Sequence, residues 1–313
     1  MWRLIRRRLA QGQLLPWRWT HLGGLLNTLL LVHLRRPWLR WQAGRSPADA
    51  DITVVLGHRN RPDFRLVNAL RSITTQAYGA GRIHVLVVDY GSDPGSLARL
   101  RQVTAAAGAE CVAVGGVGTW NRSHCLNVGI RRVRTRYLMV SDVDILLSPA
   151  YLAEAVSRLE QDPLAMVLSP CLHLPESLAP LLEAAAAGGE PVDTGTLRPH
   201  GVVKTADGYS TGIVVARTEH FRRVRGFDEW YREYGSEDED LVRRFTWLGL
   251  RPVVLTGPAC YLHQWHPRHE GVRSPGLRAR IAANARYLEQ ARGIRRNPGG
   301  WGEVPAAGET AVG

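Results

Sequence analysis

Between residues 52 and 144 the chain alternates short β-branched runs with stretches of helical spacing. "ITVVLGHRN" reads as a strand and "FRLVNALRSITTQ" as a helix. "IHVLVVDYGS", "ECVAVGG" and "YLMVSDVD" are further strands, separated by the helical "PGSLARLRQVTAAAG" and "SHCLNVGIRRVR". Continuous apolar strands alternating with helices predict an α/β fold: a mainly parallel, Rossmann-like sheet covered on both faces. Ligands bind such sheets at the carboxyl ends of the strands. Asp89, Asp142 and Asp144 all fall at those ends, so one cleft is expected to hold the three.

Beyond Pro149, "AYLAEAVSRLEQD" reads as a helix and "LAMVLSP" as a strand. Residues 172–208, rich in Gly, Pro and Ala, predict an irregular loop with a short Ala-rich helix. "YSTGIVVARTEHFRRV" returns to strand and helix, "SEDEDLVRRFTWLG" to helix, and "RPVVLTG" to strand. Residues 277–292 look helical, and the chain from about 297 is expected to be loose. The division expected is 1–48 as a basic arm, 49–275 as the main domain (49–148 nucleotide-binding, 149–275 acceptor and catalytic), and 276–313 as a helix and tail.

Charge sits unevenly. Of a net +12, nine arginines and no acids lie in residues 1–45, which leaves about +3 on the rest. With that distribution and no nucleic-acid motif, nucleic acid is excluded as a partner. The arm's apolar stretch, 22–34, is shorter than the roughly 20 residues a spanning helix needs. Trp2, Trp17, Trp19, Trp38 and Trp41 among arginines suit a lipid headgroup boundary, so residues 1–45 are expected on an anionic membrane surface. An arm packed on the body or on a second subunit is the alternative. The four cysteines are far apart and are read as reduced thiols. The expected location is cytoplasmic, peripheral on the inner face of the membrane.

Asp142 and Asp144 pose the chemical question. On a continuing strand they share a face; in a turn they converge equally well. Close carboxylates repel, and burying them unpaired is costly. A divalent cation, Mn2+ or Mg2+, resolves both problems and takes waters and phosphate oxygens as its remaining ligands. Arg122 and Asn127 in "TWNRSHCLNVGI" lie just before this strand. The four acids in "SEDED" exceed what capping a helix start requires, because they repel one another.

Taken together, "ITVVLGHRNRPDFRLVNALRSI", "IHVLVVDYGS", "NRSHCLNVGI", "YLMVSDVD", "GSEDEDLVRRFTWLG" and "YLHQWHP" resemble family 2 inverting glycosyltransferases of the GT-A fold. The second half is similar to the carboxyl-terminal segment of galactosyltransferases. The resemblance covers about residues 50–270. It implies that Asp142 and Asp144 bind a metal and the donor diphosphate, with Asp142 also near the ribose. It implies that Asp89 holds the base, and that Arg59, Asn60, Arg61, Arg122 and Asn127 line the nucleotide pocket. Asp238 would be the catalytic base and Glu237 would contact a sugar. A histidine, His266 in preference to His263, would be a further metal ligand.

The implied activity moves a hexose or N-acetylhexosamine from a nucleotide sugar, UDP-linked, to a glycan or lipid-linked acceptor. Trp230, Tyr231 and Tyr209 are candidates for stacking on sugar, as is Tyr234, which stands where galactosyltransferases carry Trp-Gly. A non-catalytic sugar-nucleotide-binding or membrane-surface protein that kept the fold is the alternative. A nucleotidyltransferase would need a Gly-rich, Lys-containing loop after the first strand, and "GHRNRPDF" is not one.

Overall fold

The computed structural model describes residues 36–41, 51–115, 118–203, 210–267 and 274–304. Tyr209 and most of the arm lie outside them.

Seven strands form the central sheet: β1 (Ile52–His58), β2 (Ile83–Tyr90), β3 (Glu110–Val114), β4 (Tyr137–Asp142), β6 (Ala165–Ser169), β9 (Ser210–Arg217) and β10 (Arg251–Val254), in the order β10-β6-β9-β4-β1-β2-β3. Every pairing is parallel except those of β9, which runs antiparallel to β4 and β6. Alternate side chains of a strand enter opposite layers. Ile52, Val54 and Leu56 of β1 pack under α1 (Phe64–Thr74), α2 (Pro94–Ala106) and α4 (Tyr151–Gln161). Val55 enters the other layer, with α3 (Arg122–Arg132), α7 (Thr218–Val224) and α8 (Glu237–Leu248). In α3 the close approach to the sheet needs Gly129: a Cβ there would stand 2.5 Å from Val55 Cγ1.

A second sheet carries half of the site. Its order is β5-β11-β7-β8, from β5 (Ile145–Leu147), β7 (Cys171–His173), β8 (Val202–Val203) and β11 (Tyr261–His263). The 172–208 segment thus contributes strands to this sheet, with α5 (Ala179–Gly188), the expected Ala-rich helix, and the short α6 (Thr194–Leu197) between them. Asn68 and Arg71 of α1 hold α5 by donating to the carbonyls of Leu182, Ala185 and Ala186.

The described residues at both ends are tied to the body, 36–41 in the manner of the packed-arm alternative and those past 297 against the expected loose tail. Leu39, in a helical turn at 36–41, is fully buried in the α7/α8 layer, and Arg36 Nε donates to Gly249 O at 3.0 Å. This part of the arm is packed on the body, while Trp38 and Trp41 remain exposed. After α9 (Pro275–Gln290) the chain is bonded well past 297. Arg296 reaches Asp228 and Asp240, and the Gly302 amide donates to Glu229. Two buried ion pairs, the one to Asp240 also hydrogen-bonded, secure a segment that apolar content alone would leave loose.

Candidate active site

The β4 strand ends at Asp142, and Val143–Asp144 form a turn into β5. Antiparallel β11 lies beside β5, with His263 paired to Ile145 and the Gln264 amide donating to Asp144 O at 2.9 Å. This pairing brings residues some 120 positions apart into one cluster. His266 Nε2 is 3.3 Å and His263 Nε2 3.7 Å from Asp144 Oδ2. Among the described residues, Asp144, His263 and His266 are the one group whose ligand atoms converge as a metal site requires, all within 4.8 Å of one another.

The donor set fits a divalent cation. Asp144 Oδ1 is buried without a hydrogen-bond partner. Burial, and then the charge of Asp142, push the Asp144 carboxyl up to about 6. Burial also lowers His266, favouring the neutral ring that coordinates metals. Its Nδ1 lies 2.9 Å from Pro267 O, so Nδ1–H donates there and Nε2 faces Asp144 with its lone pair. A ligand histidine is ordinarily fixed by such an outer bond. Asp142, expected among the ligands, is not in the cluster. The turn separates it from Asp144, and Arg122 holds its carboxylate.

Arg122, in the first turn of α3, serves both halves of the cleft. Its Nε donates to Asp142 Oδ1 at 2.8 Å and its Nη1 to Asp238 Oδ1 at 2.6 Å. Glu237 Oε1 is 3.7 Å away, and Nη2 donates to Gly212 O at 3.2 Å. Burial works against the charged guanidinium, but the three carboxylates outweigh it and raise its pKa. Asp238 moves to about 7: burial is the largest cause, Arg122 opposes it, and Glu237 and Asp142 add to it. The resulting carboxyl titrates where a general base works best. Ser236, before α8, has φ 76°, a left-handed conformation costly for serine, and strain of this kind gathers at functional sites.

At the far side of β4 the β1–β2 register sets His58 beside Asp89. Both are buried. His58 Nε2 accepts from the Arg61 amide at 3.2 Å, so Nδ1 carries the proton and donates to Asp89 Oδ1 at 2.9 Å. Ser92 donates to Asp89 through both its amide and its hydroxyl. Burial raises the Asp89 carboxyl, but these bonds overcome it, and the net shift is downward. Asn60, at φ 52°, ties the turn to the opposite loop: its amide donates to Ser92 Oγ, and its Oδ1 accepts from the Asp93 amide. Arg59 donates to Gly118 O, and Arg61 lies near enough to Asp144 to lower its pKa.

Two expected residues do not reach the cleft. Asn127 is fully buried; its Nδ2 donates to Phe227 O and Glu229 Oε1, and its Oδ1 accepts from the Phe227 amide. It joins α3 to the 226–229 loop, its amide turned to protein partners on both sides. Tyr231 is also buried, edge-on to Trp230 and Tyr287, whereas Trp230 and Tyr234 are exposed. Three residues escaped the sequence reading. His58 orients Asp89. Gln264 accepts from Asn68 and donates to Arg65 O, fixing the chain between the two site histidines. Asn284 of α9 donates to the carbonyls of Arg232, Tyr234 and Gly235, just before the acidic helix. Their partners are distant in sequence, and no spacing signal announces them.

The profile for glycosyl transferase family 2 matches residues 53–173, and that for the N-terminal domain of galactosyltransferase matches 196–267. The two matches meet at this cleft: the first contains Asp89, Arg122, Asp142 and Asp144, the second Asp238, His263 and His266. Residues 53–173 thus form a family 2 glycosyltransferase segment, and residues 196–267 a galactosyltransferase-like one. No curated protein sequence matches the chain. Its fold is similar to that of Staphylococcus aureus TarS (residues 1–349). The match to the structure in complex with UDP-GlcNAc has a TM-score of 0.50 at 15% identity, and covers 72% of this chain and 61% of the other. The match to the UDP complex has a TM-score of 0.50 at 16% identity, over 69% and 61%. The chain therefore spans about three fifths of the length of those structures, and they share the GT-A architecture with it.

Proposed function

We propose that this protein is a metal-dependent, inverting glycosyltransferase. It moves a hexose or N-acetylhexosamine from a UDP-linked donor to an acceptor hydroxyl on a glycan or lipid-linked glycan. The carrying observation is that the Asp144–His263–His266 cluster lies beside Asp142, which Arg122 links by hydrogen bonds to Asp238. The UDP and UDP-GlcNAc named for the TarS complexes support the donor class.

Asp144, His263 and His266 would hold Mn2+ or Mg2+, which when bound supplies charge neutralisation for the departing diphosphate. Arg61, beside Asp144, adds positive charge on the same side. Asp89, His58 and Ser92 shape the base pocket through the 59–61 turn, and Asp142 faces the ribose side. On the acceptor side, Asp238 takes the proton from the incoming hydroxyl. Its oxygen attacks the anomeric carbon as the bond to the diphosphate breaks, so the configuration inverts. Glu237 contacts a sugar, and exposed Tyr234 and Trp230 offer aromatic faces to the acceptor. A screen of UDP- and GDP-sugars, with NMR of the product's anomeric configuration, tests the reading; retention, or no transfer from any donor, overturns it.

We also propose that residues 1–45 associate with anionic lipid at the cytoplasmic face. Supporting this, Trp38 and Trp41 are exposed on a turn that Leu39 anchors. Arg36 bonds Gly249 and Arg40 pairs with Asp162, just before β10 and β6, so this turn lies at the strand ends opposite Asp142. No helix among the described residues is long and apolar enough to cross a membrane.

A further inference from the structure

Among the described residues, Arg122 is hydrogen-bonded both to a carboxylate of the donor-side strand and to one of the acidic helix. Its Nε holds Asp142 at the end of the donor-side strand, and its Nη1 holds Asp238 at the start of α8. The third nitrogen is anchored on Gly212 O of β9. A guanidinium is a rigid planar fork, so these bonds fix its orientation together. One oxygen of Asp238 is thereby committed. Oδ1 belongs to Arg122, and Oδ2 is left toward Gly212, where even a Cβ would stand 3.8 Å away. Arg122 side chain is only 10% exposed, so little water competes for these bonds.

We propose that Arg122 is a positioning residue that couples the donor strand to the catalytic base, pinning Asp238 Oδ1 so that Oδ2 faces the acceptor hydroxyl. The sequence reading gave Arg122 to the nucleotide; the geometry points to a role through Asp238. This rests on Asp238 being the base. The charged groups that act most strongly on Asp238 are Arg122, Glu237 and Asp142. Arg122 is the one cation of the three, and the other two raise the carboxyl's proton affinity. Without Arg122, Asp238 holds its proton to higher pH and its oxygens are free to rotate. Loss of Arg122 thus has two signatures, an altered titration and a lowered turnover, and neither requires weaker donor binding.

The test uses the full-length chain with Mn2+ and three variants: Arg122→Ala, Arg122→Lys and Asp142→Asn. Three quantities are read: the pH profile of kcat/KM for transfer, the donor Kd by calorimetry, and the Asp238 carboxyl titration by 13C NMR, assigned with Asp238→Asn. For Arg122→Ala the expected result is a titration midpoint at least one pH unit higher and a kcat at least 100-fold lower. Arg122→Lys keeps the charge but cannot fork, so its midpoint returns toward wild type while kcat stays at least tenfold down. Asp142→Asn, which loses a charge from the fork, lowers the Asp238 midpoint. An unmoved midpoint in both Arg122 variants, or a loss confined to donor affinity, overturns the proposal. Should Arg122→Ala not fold, Arg122→Lys and Asp142→Asn decide. If the wild type transfers no sugar, the proposed function fails, while the NMR titration still tests the Arg122–Asp238 link.

Discussion

Arg122 Nη1 and Asp238 Oδ1 are 2.6 Å apart, although 116 residues separate them in the chain. That bond joins the family 2 half of the molecule to its galactosyltransferase-like half. It also explains why a carboxyl pushed up by burial, by Glu237 and by Asp142 stays ionisable near neutrality.

The pH dependence of transfer follows from this balance. A base must be unprotonated, so with Asp238 at about 7, kcat/KM rises with pH and levels off above that value. Asp238→Asn removes the limb and lowers kcat by about 10²–10⁴-fold. A profile flat from pH 5 to 9 in the wild type argues against Asp238 as the base.

Gln264 sits between the two site histidines and is spent on Arg65 and Asn68. Its replacement by Ala loosens the chain that aims His263 and His266. Mn2+ affinity measured by calorimetry is expected to fall about 10–100-fold, as for other supports of metal ligands. Unchanged affinity removes Gln264 from the site.

Asn127 provides a contrasting case. Asn127→Ala leaves buried partners on Phe227 and Glu229 unsatisfied and is expected to cost about 1–3 kcal/mol in denaturant unfolding. UDP affinity should stay at the wild-type level, and a large loss of it returns Asn127 to the pocket.

The arm can be divided at residue 35. Removing residues 1–35 is expected to weaken binding to anionic vesicles, leaving the part carried by Trp38 and Trp41, while transfer to soluble acceptors persists. Removal through 45 also strips Leu39 from the core, at a cost of about 1.5–3 kcal/mol. Equal vesicle binding by the full and shortened chains contradicts the membrane proposal.

Most of the fold is legible in the sequence because strand and helix periods are local properties. The strands at 52, 83 and 137 and their covering helices fall where the apolar spacing puts them. Motifs at a strand end or helix start mark residues that the structure brings together, Asp144 with the two histidines and Asp238 with Arg122. Asn127 misleads because nearness in sequence is not nearness on a helix. Five residues beyond Arg122 is a rotation of about 140°, which turns it away from the cleft. The Arg122 bridge, the His58–Asp89 pair and the Gln264 support depend on tertiary pairing. Local sequence carries no trace of those partners.

The most direct test titrates UDP into the full-length chain by calorimetry, with Mn2+ and with EDTA, in wild type, Asp144→Asn and Asp238→Asn. The account predicts metal-dependent UDP binding that Asp144→Asn abolishes and Asp238→Asn retains, with transfer lost in both. UDP binding that is indifferent to EDTA and to Asp144→Asn, or full transfer by Asp238→Asn, would contradict it.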